Sequence, residues 1–528
     1  MTDHQLTIPK HRPLSDPAVY FTFLAASSLL LLVLSSMLSD RPLDVIVHPI
    51  VWLSSLDVPA ALDILGNAAE VVAAVLAIAM TVVAIVVELA ANRYSHEITR
   101  LFLREPVNII VLGLFVLTTL QCVWIAAVLG EPVPDALLPQ AGFALTLGLV
   151  TLCLLLLVPY IYFVFTFLSP ISVIERICRD AYRMVIRVGA ANISGHQHRV
   201  EESIDQLQDV ARSAIQQSDR GIAMSAVDAL SGFVSDYVRV REQLPAGWFD
   251  VTASVAEDPD FVALAPESME EVRAQGIWLE RKVFRRFLSL VGQCTIHSRD
   301  VIYLIGINTR RIASEFGIDN QNLLELCSRS FNSYLRTTIG AGDPRAAYYL
   351  MNQYRYLAEH MLREGRPDVA LQIAGYLKEY GQFGHSVGLP FLLEAAAYDV
   401  MQLTELACLD GHRVADPMLD CLLELDTEVK EESEQEESLL GVRRSQMQLA
   451  VLLLKLGDEA RAMRIVEDLK GERLSRLQRL RQGLETDDRP QYWELTDRGV
   501  NFRYLKPELR GYLDELFARI ENTAGGAS

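Results

Sequence analysis

Four long apolar stretches, residues 20–38, 71–87, 107–129 and 142–168, constrain the fold of this chain more than any other feature. A helix needs about 20 apolar residues to cross a ~30 Å hydrocarbon layer, and buried core helices seldom stay apolar on every face for that long. The second stretch is the shortest. Glu70 and Glu88 bracket it, and on a helix they would stand about 27 Å apart, one at each interface. Four transmembrane helices are therefore expected, filling 20–168 behind a short N-terminal segment, 1–19.

Arginine and lysine near the span ends set the orientation, because basic residues are retained on the cytoplasmic side. Lys10 and Arg12 precede the first stretch. Arg41, among Asp40, Asp44, Asp57 and Asp63, is the only basic residue between the first and second. The next loop carries Arg93, Arg100 and Arg104, and the one after has Glu131 and Asp135 without any basic residue. Arg176, Arg179, Arg183 and Arg187 follow the fourth stretch. The expected order is in, out, in, out, in, with both termini cytoplasmic at the plasma (inner) membrane. The first stretch is longer than the ~7–15 residues of a signal-peptide core and lacks a small-residue cleavage site, so it reads as an anchor. Segment 43–65, with Pro49, Trp52 and Pro59, reads as an outer loop with an interfacial helix.

On the second span Ala69, Ala73, Ala77 and Thr81 recur every fourth residue, and Ala84 continues the face. Such a stripe lets a second helix backbone approach closely. Two readings are open: packing within one four-helix bundle, or a subunit interface or pore lining. Gly113 and Gly148 suit the same close packing, and Pro159 is expected to kink the fourth helix. Deep ionisable groups, which would mark a proton-coupled carrier, are almost lacking; Asn67 and Gln121 are the polar residues. Glu70 and Glu88 are either interfacial, solvated carboxylates or rings that select cations in an oligomer.

The passage 88–106 reads as a helix leaving the membrane, a break near Asn92 and an amphipathic inner helix. Ile98, Leu101 and Phe102 would face lipid or protein, Arg93, Arg100 and Arg104 would meet headgroup phosphates, and Pro106 suits the start of the next span. This passage, with Val107-Asn108-Ile109-Ile110-Val111-Leu112-Gly113, resembles a bacterial family of predicted membrane proteins of unknown function. In that family the second span ends in a similar leucine-alanine, polar, aromatic-serine run followed by an Arg-flanked phenylalanine. A fainter echo is Gly340-Ala341-Gly342-Asp343-Pro344, a Gly and Asp-Pro turn that opens a helix. The resemblance covers mainly 67–129. Glu88 departs from it, standing where a neutral polar residue is usual, and the C-terminal extension is unlike it. The resemblance implies a four-span anchor and no established activity.

The rest of the chain reads as a large cytosolic all-α region. Its expected divisions are membrane-proximal helices (169–243), a helical domain (266–427), an acidic linker (428–438) and C-terminal helical hairpins (439–523). Ile174, Ile177, Ala181, Met184 and Val188 predict an amphipathic helix, which Ser194-Gly195-His196-Gln197-His198 is expected to break. Further helices are marked by Val200, Ile204, Leu207, Val210 and Ala211, then by Val227, Leu230, Val234 and Val238. Segment 248–255 is the one tempting strand. Leu357-Ala358, Gly365, Ala370 and Leu377 share a pattern with Leu449-Ala450, Gly457, Ala460 and Val466. Each predicts a helix, a tight turn at glycine and a second, closely crossing helix. The pattern resembles tetratricopeptide units, with incomplete aromatic and proline signposts. An irregular helical bundle is the alternative. The acidic run 424–437 reads as a solvated linker or exposed helix end, with a dock for a basic partner as the alternative. Segment 492–499 is expected to turn back on the domain before a last helix from Pro507.

The search for chemistry returns little. A net charge of −19 disfavours nucleic-acid binding, which needs a basic patch. The seven cysteines form no Cys-x-x-Cys pair; Cys294 and His297 lack a second pair of ligands, and His96-Glu97 lacks a second histidine. His196 and His198 read as solvated linker residues. No phosphate-cradling glycine motif occurs. The expectation is a non-enzymatic membrane protein without a cofactor or metal, partnered by the bilayer and by a cytosolic protein or further copies of itself. It would serve as an anchored interaction or sensor protein, or alternatively as an oligomeric channel gated by its cytosolic part.

Overall fold

In the computed structural model, residues 26, 58–93, 105–129, 140–167, 169–189, 192–294, 298–426, 436–492 and 498–525 are described. Among them every regular element is helical and no strand occurs. Three helices are long and apolar enough to cross a membrane: α1 (Val58–Arg93), α2 (Pro106–Leu129) and α3 (Gln140–Phe167). The first expected span, 20–38, lies outside the described residues, as does the expected inner helix with Arg100 and Arg104.

The expected outer loop 43–65 is corrected over its last part. From Val58 the chain is already α1. Pro59 does not prevent this, because a proline in the first turn removes an N–H that has no intrahelical partner there. Ala61 and Leu65, both sealed from solvent, join Leu129 and Phe143 in one apolar cluster. The start of α1, the end of α2 and the start of α3 thus share one end of the bundle, and neighbouring helices run in opposite directions. Pro106 opens α2, and α3 continues through Pro159.

The chain divides into two compact units, Met1–Arg176 and Ile177–Ser528. The dividing point falls within α4 (Pro170–Ile186), whose Val173, Ile174, Ile177, Ala181 and Val185 are buried. The second unit starts with α5 (Ile193–Gln216) and α6 (Arg220–Val240). The expected break at 194–198 is displaced: these residues lie in the first two turns of α5, and the interruption precedes them. The apolar periodicity holds, with Val200, Ile204, Leu207, Val210 and Ala211 all buried.

The tempting strand at 248–255 is replaced by a 3₁₀ turn, Ala246–Phe249, and the short helix α7 (Ala253–Glu257). Its backbone is satisfied by local turn bonds and by side chains instead of a neighbouring strand. Gln197 Nε2 donates to the carbonyls of Trp248 (3.0 Å) and Asp250 (2.9 Å), and Trp278 Nε1 donates to Trp248 O (2.9 Å). Thr252 Oγ1 donates to Gln197 Oε1 (2.6 Å), and the buried rings of Trp248 and Trp278 lie 5.4 Å apart.

The chain continues through α8 (Pro259–Val262), α9 (Pro266–Gln275), α10 (Trp278–Gln293), α11 (Arg299–Phe316) and α12 (Gln321–Gly340). Then come α13 (Pro344–Arg363), α14 (Pro367–Ser386), α15 (Phe391–Leu409) and α16 (Ala415–Leu423). The last elements are α17 (Glu436–Leu456), α18 (Glu459–Leu469), α19 (Leu474–Thr486), α20 (Pro507–Arg510) and α21 (Tyr512–Gly525). Both expected glycine hairpins form. Gly365 (φ +74°) joins α13 to α14 and Gly457 (φ +75°) joins α17 to α18. Each turn is closed by the same pair of backbone bonds: Arg366 N to Met361 O with Gly365 N to Leu362 O, and Asp458 N to Leu453 O with Gly457 N to Leu454 O. This Schellman closure needs one left-handed residue, hence glycine. Ser218 (φ +59°) makes the same closure between α5 and α6 without being glycine. In the second hairpin the expected close-crossing residue, Ala460, is exposed, and Ala462 is buried in its place. The acidic linker lies almost wholly outside the described residues.

Candidate functional site

The expected membrane site lies on α1. Val72, Ala79, Val83 and Val87 are buried, while Glu70, Ala73, Ala77, Thr81, Ala84 and Glu88 are all exposed. The small-residue stripe and both carboxylates therefore lie off the buried face of α1. Arg93 is the last residue of α1. Between α2 and α3 the buried Thr118 hydroxyl lies 3.3 Å from Cys153 Sγ. The threonine hydroxyls are otherwise satisfied within their own helices: Thr81 Oγ1 donates to Ala77 O (2.9 Å), Thr118 to Leu114 O (2.7 Å) and Thr146 to Gly142 O (2.8 Å). That habit suits a medium without water. Large apolar side chains point outward, Ile110 and Trp124 each 68% exposed. So much exposed apolar surface is foreign to a water-soluble protein and natural against lipid.

In the second unit the sequence signals for a site were weak, and the structure gathers charges that no local motif announces. Lys282 on α10 is wholly buried, with Nζ 2.5 Å from Asp258, 3.0 Å from Asp205 and 3.7 Å from Asp260. Arg286 also reaches Asp205 (2.7 Å) and Asp260 (2.9 Å). Burial pushes the carboxyls of Asp260 and Glu201 up, against the pull of the neighbouring cations and, at Glu201, a hydrogen bond from Ser254. Beside this cluster is an open cavity of about 590 Å³ lined by His198, Glu201, Glu202, Ser254, Glu257 and Asp258. His198 lies 3.3 Å from Glu202 on the same helix, and His196 Nδ1 lies 2.7 Å from Asn192 O. Both are thus helical residues with local partners, His198 exposed and His196 half-buried, a correction to the linker reading. No group of histidine, cysteine and carboxylate side chains arranged to hold a metal ion occurs among the described residues.

A second charge centre ties the chain's end to its middle. Arg498 donates to Asp399 through Nη1 (2.6 Å) and Nη2 (3.1 Å), and Nη2 also donates to Tyr348 O (2.6 Å). Arg355 Nε lies 3.1 Å from the same carboxylate, and Asp399 is wholly buried. The Arg498 guanidinium stacks 3.9 Å above the Tyr348 ring, and Phe502 stacks on Tyr398 (4.4 Å). Segment 498–502 therefore folds back against α13 and α15.

A larger open cavity, about 880 Å³, is lined by Arg239, Arg241, Phe249, Phe316, Asn320 and Gln321, among others. Its arginines are engaged: Arg241 with Glu280 and the Gly276 carbonyl, Arg239 with Asp236 and Glu315. The thiols are poor nucleophile candidates. Burial pushes Cys178 and Cys294 up to about 12 and raises Cys408 and Cys421 as well, so all four stay protonated at neutral pH.

Comparison with known proteins gives one informative match. Residues 16–246 match the family described as "Predicted membrane protein (DUF2254)", a stretch that runs from before the apolar helices to just past α6. The chain is a membrane protein similar to that uncharacterised family over this part. No curated protein matches it. One solved structure, a "Circular tandem repeat protein with novel repeat topology and enhanced subunit contact surfaces", aligns at 16% identity over 89% of this chain and 98% of its own. Its TM-score of 0.26 deprives that likeness of weight.

Proposed function

We propose that this is a four-span inner-membrane protein, with both termini in the cytoplasm, that anchors a cytosolic helical interaction or sensor domain and has no catalytic activity of its own. The observation that carries the reading is charge asymmetry: Arg93, Arg100 and Arg104 stand from the end of α1 to the start of α2 and four arginines follow α3, whereas Glu131 and Asp135 lie between α2 and α3 without any basic residue. The repeated glycine-closed hairpins support a tetratricopeptide-like interaction surface, since stacked helix pairs present an extended face to a partner. A fluorescent reporter fused at the C-terminus should light up in the cytoplasm. A signal seen only with a periplasm-specific reporter would invert the topology and remove the cytosolic partner.

One observation favours a second reading, an oligomeric channel. The small-residue stripe and both glutamates lie on an exposed face of α1, where a second copy would meet them. Bilayer recording from the purified protein, paired with its mass in detergent, tests this. A monomer, or a well-folded oligomer without conductance, excludes it.

A further inference from the structure

The helix that follows the last apolar segment carries a charge pattern opposed to that of the whole chain. α4 starts at Pro170, directly after α3 ends at Phe167. Its buried residues form one face, and Arg179, Arg183 and Arg187 at its C-terminal end line up at four-residue spacing on the exposed one. Arg183 lies 3.3 Å from Asp180 with both side chains about half exposed, and Arg179 and Arg187 have no ion-pair partner among the described residues. The chain as a whole has 67 acidic and 48 basic residues, so an exposed arginine row runs against its composition. Ile186, 51% exposed, sits beside that row, and Ile171, 52% exposed, lies at the other end of the helix. Glu175 is an exposed acidic residue of the same helix, and Asp180 borders the arginine row.

We infer that α4 binds acidic phospholipid: Arg179, Arg183 and Arg187 hold headgroup phosphates of the leaflet at which α3 ends, and Ile186 enters the headgroup layer. Guanidinium groups match phosphate oxygens in a two-pronged geometry, and basic clusters just beyond a span are drawn to acidic leaflets. The inference rests on the reading above that α3 crosses the bilayer.

The test uses the full-length protein in nanodiscs of phosphatidylcholine with a minor fraction of phosphatidylglycerol. Native mass spectrometry reads the ratio of acidic to neutral lipid retained. The wild type should enrich the acidic lipid, and each arginine replaced by glutamine should lower the enrichment by about five-fold or less. R179Q/R183Q/R187Q should abolish it, and the matching lysine variant should keep most of it. Because the replaced side chains are exposed, the melting transition should not move. Equal enrichment in the triple variant, or none in the wild type, overturns the proposal. So does loss of enrichment only in R93Q/R100Q/R104Q, which would give the role to the inner loop. Both disc faces carry the same lipids, so the result does not depend on orientation. Failure of the anchor reading would appear separately, as a chain that does not enter the discs.

Discussion

The two units bury opposite things. In α1–α3 the outward surface is apolar, and the threonine hydroxyls close on carbonyls one turn back. In the second unit the outward surface is charged, and the interior holds ion pairs between residues far apart in sequence, as in Lys282 with Asp205 or Arg498 with Asp399. The difference follows from the solvent. Lipid offers no partner to a polar group, so each must be satisfied locally. Water lets charges stay solvated in the unfolded chain, so burying them is costly and demands complete pairing. The first unit should therefore tolerate loss of single polar contacts, and the second should not.

The largest effect is expected at the centre of the buried network. Asp399→Ala leaves Arg355 and Arg498 without their shared carboxylate and should destabilise the second unit by ~3–5 kcal/mol, read by denaturant unfolding. A loss under about 1 kcal/mol would show that the network is solvated and would erase the contrast.

Next comes a pH dependence. Burial pushes Asp426 up to about 6, although Arg443 (3.1 Å) pulls it down; Asp468 and Glu472 push it further up. A carboxyl that holds its proton more tightly when folded favours the folded state at low pH. Its contribution is full below the unfolded value near 3.8 and is lost as pH rises through about 6. Wild type should therefore lose up to about 3 kcal/mol relative to Asp426→Asn between pH 4 and 7. Paired melts across that range check it, and parallel curves would refute it.

Turn chemistry should matter less. Gly365→Ala forces a side chain into a left-handed position and should cost ~1–2 kcal/mol, whereas Ser218→Gly relieves the same strain and should stabilise by up to a similar amount. Thermal shifts of opposite sign would confirm the pair. The smallest effect is expected in the membrane: Thr118→Val removes the contact with Cys153 and should cost about 0.6 kcal/mol. A cost rivalling that at Asp399 would mean that the two units obey the same rule.

What was legible in the residues was whatever depends on neighbours along the chain. Apolar length marked α1–α3, periodicity marked Val200 to Ala211 on α5, and Gly365 and Gly457 marked their turns. The errors arose where distant residues decide. Segment 248–255 has strand-like content, but Gln197 and Trp278 take its carbonyls and hold it in turns. Segment 194–198 looks like a breaker, yet it is helical and Gln197 is buried in the second turn of α5. For the candidate sites, spacing located the small-residue stripe on α1, but spacing carries no information about which face a neighbouring helix covers.

The order of residues alone determined an all-α chain with apolar helices long enough to cross a membrane, followed by a large charged helical part, because hydropathy and helical period are local properties. Only the tertiary structure decided that Ala73, Ala77, Thr81 and Ala84 lie off the buried face of α1, that Ala462 replaces Ala460 at the crossing, and that Arg498 meets Asp399 from 99 residues away. Those outcomes depend on which surfaces meet once helices pack. Packing is set by shape and by the cost of leaving a buried charge alone, and neither can be read from adjacent letters.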